Sequence, residues 1–445
     1  MSETDNGKIT RRTFIAATAA TISIVPRHVL GGPEHTPPSE KLNVAGIGIG
    51  GMGSGDIQRI GATENVVALC DVDHRHAGRT FKKFPNAKVY SDFRVMFDKE
   101  KDIDAVTIAT PDHNHAIITM AAMKMGKHVF CQKPLTHSVY EARMIGEVAA
   151  ETKVATQMGN QGQATESARI VQEMIADGAI GNVKEIHAWS NRKPDISQRG
   201  IPRPTDTHKV PGGLNWDLWL GPAPERPYHP RYLPFRWRGW WDFGTGVLGD
   251  IGCHQLSTAF KALKLGHPTS VESCSTNWQR PDSISNETAP LASMTRYKFA
   301  AEGNRQAVDI IWYDGGMRPP RPEELEPGRQ FGVNDGIMYV GDKGKILGNR
   351  LIPEERMREY GKPPRILERS PGHYKEWLIA CKGGKPAGSN FVDHAAHLAE
   401  VVLLGNVAIR VNGKIDWDGK NLRVTNNDAA NRFVNPAYRD GWKLV

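Results

Sequence analysis

The chain has 445 residues and a formal net charge of +8, from 57 lysines and arginines against 49 acids. Hydrophobic residues make up 39%, and with the 45 glycines counted the apolar share is that of an ordinary globular protein. This excludes wholesale disorder and allows more than one buried core. The longest apolar run, Phe14–Val25, has 12 residues, short of the ~20 that cross a bilayer as a helix. Basic residues are dispersed among acids, the pattern of a solvated surface, so no nucleic-acid partner is expected. Five cysteines (Cys70, Cys131, Cys253, Cys274 and Cys381) are widely spaced and form neither a disulfide framework nor a CxxC zinc pattern.

At the N-terminus, Thr10-Arg11-Arg12-Thr13-Phe14-Ile15 places two adjacent arginines before a modest apolar run. It resembles a twin-arginine export signal, followed by a Pro- and Gly-rich linker over residues 26–40. Residues 1–40 are therefore expected to be an address read by the twin-arginine export machinery. The destination is then periplasmic or otherwise exported.

From Leu42 an apolar strand to Ile47 feeds the loop Gly48-Ile49-Gly50-Gly51-Met52-Gly53, and a helical stretch follows from Ser54. In this spacing Gly48 permits the tight turn and Gly50 lets the backbone approach a pyrophosphate. Gly53 allows close helix–strand packing, and the helix N-terminus turns its amides and dipole to the phosphates. A second strand, Val66–Cys70, ends at Asp71, 18 residues after Gly53. A carboxylate there accepts from ribose hydroxyls and repels a 2′-phosphate, which favours NAD over NADP. Arg75 and Arg79 nearby keep NADP open. Strand Ile103–Thr110, helix Ala116–Met125 and strand His128–Cys131 continue a doubly wound parallel sheet.

Two motifs follow these strands: Thr110-Pro111-Asp112-His113-Asn114-His115 and Cys131-Gln132-Lys133-Pro134-Leu135. With the glycine loop they resemble the Gfo/Idh/MocA family, relatives of glucose–fructose oxidoreductase and inositol dehydrogenase, over residues 42 to about 440. Gln132 stands where the family has Glu in E-K-P. The resemblance implies that Thr110, Pro111, Gln132 and Lys133 bind the cofactor and that His115 packs on it. By chemistry, an ammonium at the carboxyl end of a parallel strand sits in the ligand crevice and can stabilise a developing alkoxide. His113 reads as loop, and no metal is expected at either histidine.

After about Gly159 the pattern changes. Residues 194–245 are rich in Pro, Gly and Trp, with Trp216, Trp219, Trp237, Trp240 and Trp241 close together. Two readings stand: a lid or sugar platform using Trp240, Trp241 and Arg238, or a loop pinned to the core by its tryptophans. Gly249-Asp250-Ile251-Gly252-Cys253-His254 then enters a helix expected over Gln255–Leu265. Asp250 and His254, four apart, share a helix face, so the carboxylate can orient the imidazole. A site near the helix N-terminus would keep that histidine a neutral base. The pair matches the family's D-x-x-x-H, whose histidine takes the hydroxyl proton, with Ser257 where many members have a further Asp. From Thr269 to Ile346 strands predominate, then helices Tyr374–Cys381 and Ala395–Val411.

The fold expected is α/β: a Rossmann domain over residues 41–160, then an α+β domain over 161–445 with a large, mostly antiparallel sheet. The resemblance implies an NAD(P)-dependent oxidoreductase acting on a sugar or cyclitol secondary alcohol. Lys133, Asp250 and His254 carry the chemistry, and a homo-oligomer is expected. An exported enzyme meets little free NAD, so the cofactor is expected to be tightly held. A redox-neutral glycosidase or epimerase and a non-catalytic dinucleotide-binding regulator are the other two readings.

Overall fold

The computed structural model describes residues 40–277, 281–332 and 334–444. The arginine pair and apolar run of the expected export signal lie outside the described residues.

The first domain is a six-stranded parallel sheet: β1 (Asn43–Ile47), β2 (Asn65–Cys70), β3 (Lys88–Tyr90), β4 (Ala105–Ile108), β5 (His128–Cys131) and β6 (Thr156–Met158). Its strand order is β3-β2-β1-β4-β5-β6. The order reverses between β1 and β4, and ligands bind at the carboxyl ends of the strands at such a switch point. Strands covered on both faces read as apolar runs, as Ala-Val-Thr-Ile of β4 does, buried at every position. Helices α1 (Met52–Ile60), α2 (His74–Lys83), α3 (Phe93–Lys99), α4 (Asp112–Lys124) and α5 (Val139–Thr152) connect them. Ser138 and Glu141 form a capping box that starts α5.

After α6 (Glu166–Ala176) the second domain builds a nine-stranded sheet on β7 (Val183–Ser190). The remaining strands are β8 (Ser270–Ser275), β9 (Ser293–Phe299), β10 (Val308–Asp314), β11 (Gly336–Gly341), β12 (Lys345–Leu347), β13 (Arg350–Ile352), β14 (Lys414–Asp418) and β15 (Arg423–Val424). Pairing is antiparallel except between β7 and β10. β9 alternates buried and exposed residues along its whole length, as a sheet with one covered face requires. Helices α7 (Gly246–Leu263) and α9 (Ala396–Val411) pack behind it, whereas α8 (His373–Cys381) packs against β6 of the first sheet. The stretch Phe391–Val411 is apolar and long enough to cross a membrane, but 83% of its apolar window is buried inside the protein. It is the core helix of this domain. Arg143 on α5 pairs with Glu400 on α9 at 2.9 Å, a tie between the two domains.

Two helices begin earlier than the sequence pattern indicates. α4 starts at Asp112, capped by Pro111, so His113 and His115 are helical and buried rather than in a loop. α7 starts at Gly246, nine residues before Gln255.

Candidate active site

The glycine loop shows why three of its positions lack a side chain. Gly48 turns with φ of +75°. A Cβ there would lie 2.7 Å from the backbone of Ala109 and Thr110, so β1 and β4 converge only around a glycine. At Gly53 a Cβ would fall 2.1 Å from the Gly48 carbonyl oxygen, which fixes how close α1 comes to the loop. Gly50 faces protein rather than open space: its Cβ would lie 2.2 Å from the His76 ring. Gly51 caps α1 without a side-chain hydrogen bond, leaving the first helical amides to a ligand.

Gly48, Gly50, Gly51, Met52, Asp71, Thr110, Pro111, His115, Gln132 and Lys133 all line one cleft of about 360 Å³. Gly53 is buried behind it. Asp71 does more than face the cleft. Its Oδ2 accepts from the amides of Ile49 (2.9 Å) and Gly50 (3.1 Å), and its Oδ1 from Asp73 (2.9 Å). It is therefore a cap on the glycine loop, and burial lifts its pKa to about 6 against those amide bonds. Arg75, which kept a 2′-phosphate open, is paired to Asp73 at 2.7 Å.

His115 is buried, with ring nitrogens 2.7 Å from the Pro134 carbonyl oxygen and 2.8 Å from that of Thr110. It clamps the loop after β4 to the loop after β5, and burial lowers its pKa to about 4. His113 is buried with Nε2 2.9 Å from the Trp219 carbonyl oxygen and Nδ1 3.2 Å from that of Phe243, and Asn114 Nδ2 lies 2.9 Å from the same Nε2. Gln132 donates to Asp56 Oδ2 at 2.8 Å, and the Tyr374 hydroxyl donates to Asp56 Oδ1 at 2.7 Å. The acid of this chain thus sits on α1, one side chain removed from the family position.

Lys133 leaves the end of β5 and meets α7. Its Nζ donates to Asp250 Oδ1 at 2.6 Å and to the Asp250 carbonyl at 3.0 Å. Arg238 Nε lies 3.5 Å from the same Oδ1. Burial would raise the Asp250 pKa, but the charges of Lys133 and Arg238 outweigh it and hold the carboxyl well below its usual range. The carboxylate's partners are therefore Lys133 and Arg238; it does not hydrogen-bond the imidazole it was expected to orient. His254 makes no hydrogen bond to protein among the described residues, and its ring is partly buried. Its pKa falls to about 4 through burial and then the Lys133 charge. The helix N-terminus contributes little, because α7 begins eight residues earlier and dipole effects fade within the first turn.

Three polar groups were given no site role in the sequence reading. Asp112, in the cleft, accepts from Thr245 Oγ1 at 2.8 Å; burial and the Asp250 charge lift its pKa to about 7. Ser257 hydrogen-bonds His394 Nε2 at 2.8 Å and accepts from Asn160 at 3.2 Å. His394 lies in a π-helical turn, Phe391–Ala395, and such turns recur at functional sites. Asp206, His208 and His229 gather their ligand atoms within 4.8 Å of one another. However, His229 Nδ1 accepts from the Arg231 amide, which leaves the proton on Nε2, facing Asp206. That tautomer donates to the carboxylate and does not suit a cation.

Trp240 and Trp241 do not form a platform in the cleft. Trp219, Trp237 and Trp240 build a separate small core with Tyr232 and Phe243. Trp240 is 0% exposed and donates to the Arg231 carbonyl; Trp241 is buried and donates to Ser285. Neither lines the cofactor cleft; the aromatic rings this loop gives to it are Trp219, Phe235 and Trp237. Arg238 does line the cleft, its guanidinium 3.6 Å from the Phe235 ring and 4.2 Å from that of Trp237.

Residues 42–160 match the NAD-binding Rossmann domain model of the Gfo/Idh/MocA oxidoreductase family, and 201–288 match its C-terminal α/β domain model. Inositol 2-dehydrogenase of Rubrobacter xylanophilus is 32% identical over 36% of this chain and 46% of its own length. Levoglucosan dehydrogenase of Pseudarthrobacter phenanthrenivorans is 28% identical over 54% and 52%. The 2,7-anhydro-N-acetylneuraminate hydratase of Mediterraneibacter gnavus is 27% identical over 37% and 44%. The chain thus spans about half the length of the curated relatives it matches. Among solved structures, the WlbA dehydrogenase of Bordetella pertussis with NADH and UDP-GlcNAcA superposes at a TM-score of 0.57, with 16% identity over 85% of this chain and 99% of that one. Levoglucosan dehydrogenase with NADH and levoglucosan superposes at 0.55, with 20% identity over 85% and 99%; at these identities the likeness is one of fold. In chain order, residues 42–160 and 201–288 are thus similar to the NAD-binding Rossmann domain and the C-terminal α/β domain of the Gfo/Idh/MocA oxidoreductase family.

Proposed function

We propose that the protein transfers hydride between NAD and a secondary alcohol of a sugar or cyclitol. The observation that carries this reading is the Lys133–Asp250 pair, whose lysine lines the dinucleotide cleft, with His254 one helical turn along α7. The cleft suits the cofactor. The uncapped amides of α1 fit a pyrophosphate, and Thr110 Oγ1 is buried there without a protein partner. Asp71 disfavours a 2′-phosphate while keeping acceptor capacity for ribose hydroxyls. Bound there, nicotinamide supplies the hydride acceptor.

The side chains divide the remaining work. His254, neutral above pH ~5 given its pKa of about 4, takes the hydroxyl proton. Lys133 donates to the oxygen on which negative charge develops. Asp250, held ionised, is a positioning residue that fixes the Lys133 ammonium and receives Arg238. The relatives named as inositol and levoglucosan dehydrogenases support a polyol substrate. A relative named as a hydratase supports a second reading, in which transient oxidation acidifies a neighbouring carbon and the hydride returns. The same proposal takes residues 1–40 as an export address, which calls for a cofactor that stays bound.

The test is direct. Purified protein is denatured and the released NAD(H) counted per chain. The intact protein is then given myo-inositol, levoglucosan and a panel of sugar acids. Reduced nicotinamide indicates net oxidation, and product without net reduction indicates the second reading. A chain that binds NAD but turns over none of them under either readout refutes the proposal.

A further inference from the structure

A second cavity, of about 390 Å³, lies apart from Lys133 and His254. Its walls come from the start of α5, from α9 and from the C-terminal segment around Phe433. Arg410, at the end of α9, lines it and makes no hydrogen bond or ion pair among the described residues. Its Nε is buried without a partner. The guanidinium lies 3.9 Å from the Phe433 ring and 5.5 Å from that of Trp241. Burial lowers its pKa to about 10, and it remains a cation at neutral pH.

Buried cations in proteins are almost always paired. The carboxylates that line this cavity are already engaged. Asp242 pairs with Arg226. Glu141 accepts from the amides of His137 and Ser138, each at 2.8 Å, and from the Tyr438 hydroxyl at 2.5 Å. A second guanidinium, the exposed Arg432, lies 4.6 Å from Phe433. Asn406, 8% exposed, also lines the cavity, and its Oδ1 has no partner. We propose that this cavity is a second ligand site, which takes the anionic group of a sugar-sized molecule on Arg410. Arg432 reinforces it, and the Trp241 and Phe433 rings supply the apolar wall. A chain of hydrogen bonds links the site to the active cleft. Asn406 Nδ2 donates to the Thr245 carbonyl at 2.8 Å, and Thr245 Oγ1 donates to Asp112 in the cleft.

Calorimetric titration of the full chain tests this with three probes: glucuronate, inorganic phosphate and glucose. Glucuronate binding that glucose does not reproduce identifies a sugar acid; phosphate binding alone identifies free phosphate. For the anion that binds, Arg410→Gln is expected to raise Kd about tenfold or more, the loss of a charge-assisted bidentate contact. The exposed Arg432→Gln, which does not endanger folding, is expected to raise it about two- to fivefold. Lys133→Met should leave it within about twofold, since that side chain lies in the other cleft. The proposal is overturned if neither anion binds at about 10 mM, if both arginine variants bind like wild type, or if Lys133→Met alone abolishes binding.

Discussion

Restoring the family's glutamate beside Lys133 should harm this protein. Gln132 donates to Asp56 at 2.8 Å, and a Cβ at Gly159 would lie 2.6 Å from the Gln132 amide carbon, so the side chain has little room to turn away. Gln132→Glu replaces that donor with a second buried carboxylate. Both cannot stay ionised, so one keeps a proton. Holding a proton at pH 7 on a carboxyl of ordinary pKa ~4.3 costs about 3.7 kcal/mol, and about 1 kcal/mol at pH 5. The sign follows from linkage: a carboxyl whose folded pKa is raised costs stability above its unfolded pKa and nothing below it. Chemical unfolding of wild type and variant at both pH values should show a loss of roughly 3–4 kcal/mol at pH 7 that shrinks by about 2–3 kcal/mol at pH 5. Asp56→Asn combined with Gln132→Glu restores a donor–acceptor pair with its direction reversed, and should recover most of the loss. A single variant as stable as wild type at pH 7, or a double variant worse than the single, would refute the reasoning.

Other substitutions probe the site's remaining parts. His254→Ala should lower kcat/KM by about 10²–10⁴ while NAD affinity stays within about twofold, as measured by steady-state kinetics and cofactor fluorescence. With a folded pKa of about 4, His254 should lose activity only as pH falls through that value. Its contribution to stability should fade between its unfolded pKa of ~6.5 and 4, because the unfolded chain binds the proton first. Lys133→Met leaves Asp250 facing only Arg238 and should destabilise by about 3 kcal/mol; Asp250→Asn in the same chain should restore part of it in a denaturant titration. Gly50→Ala and Gly53→Ala should both abolish NAD binding. His76→Ala should rescue the first, whose Cβ meets a movable ring, and not the second, whose Cβ meets the Gly48 backbone; equilibrium NAD binding to the four variants separates them.

The Rossmann half was legible because its signals are local. Buried parallel strands read as short apolar runs, and glycines mark the turns between them. The start of α7 was hidden by Gly246, Gly249 and Gly252, which local propensity assigns to a loop. Packing explains two of them: a Cβ at Gly249 would lie 2.2 Å from Thr245, and one at Gly252 would lie 3.0 Å from Val402 on α9. The start of α4 was hidden by Pro111, which reads as a breaker yet serves here as the cap. Asp250 was assigned to His254 because helical spacing is visible in sequence. Its true partner, Lys133, lies 117 positions away and is reached only through the fold. The same distance problem concealed Asp56 beside Gln132. It also left the tryptophan loop undecided, since a ring's burial depends on neighbours that no local pattern names.

The central claim, hydride transfer at a Lys133–His254 site, is tested most directly by isotope. The protein with bound or added NAD is incubated with carbon-deuterated myo-inositol, levoglucosan and sugar acids. The cofactor is then recovered and its nicotinamide C4 analysed by mass spectrometry. Deuterium on C4 with wild type, absent with His254→Ala, is the predicted result under either net or transient oxidation. Product formed without label on the cofactor, or a His254→Ala variant that labels it as fast as wild type, would contradict the account.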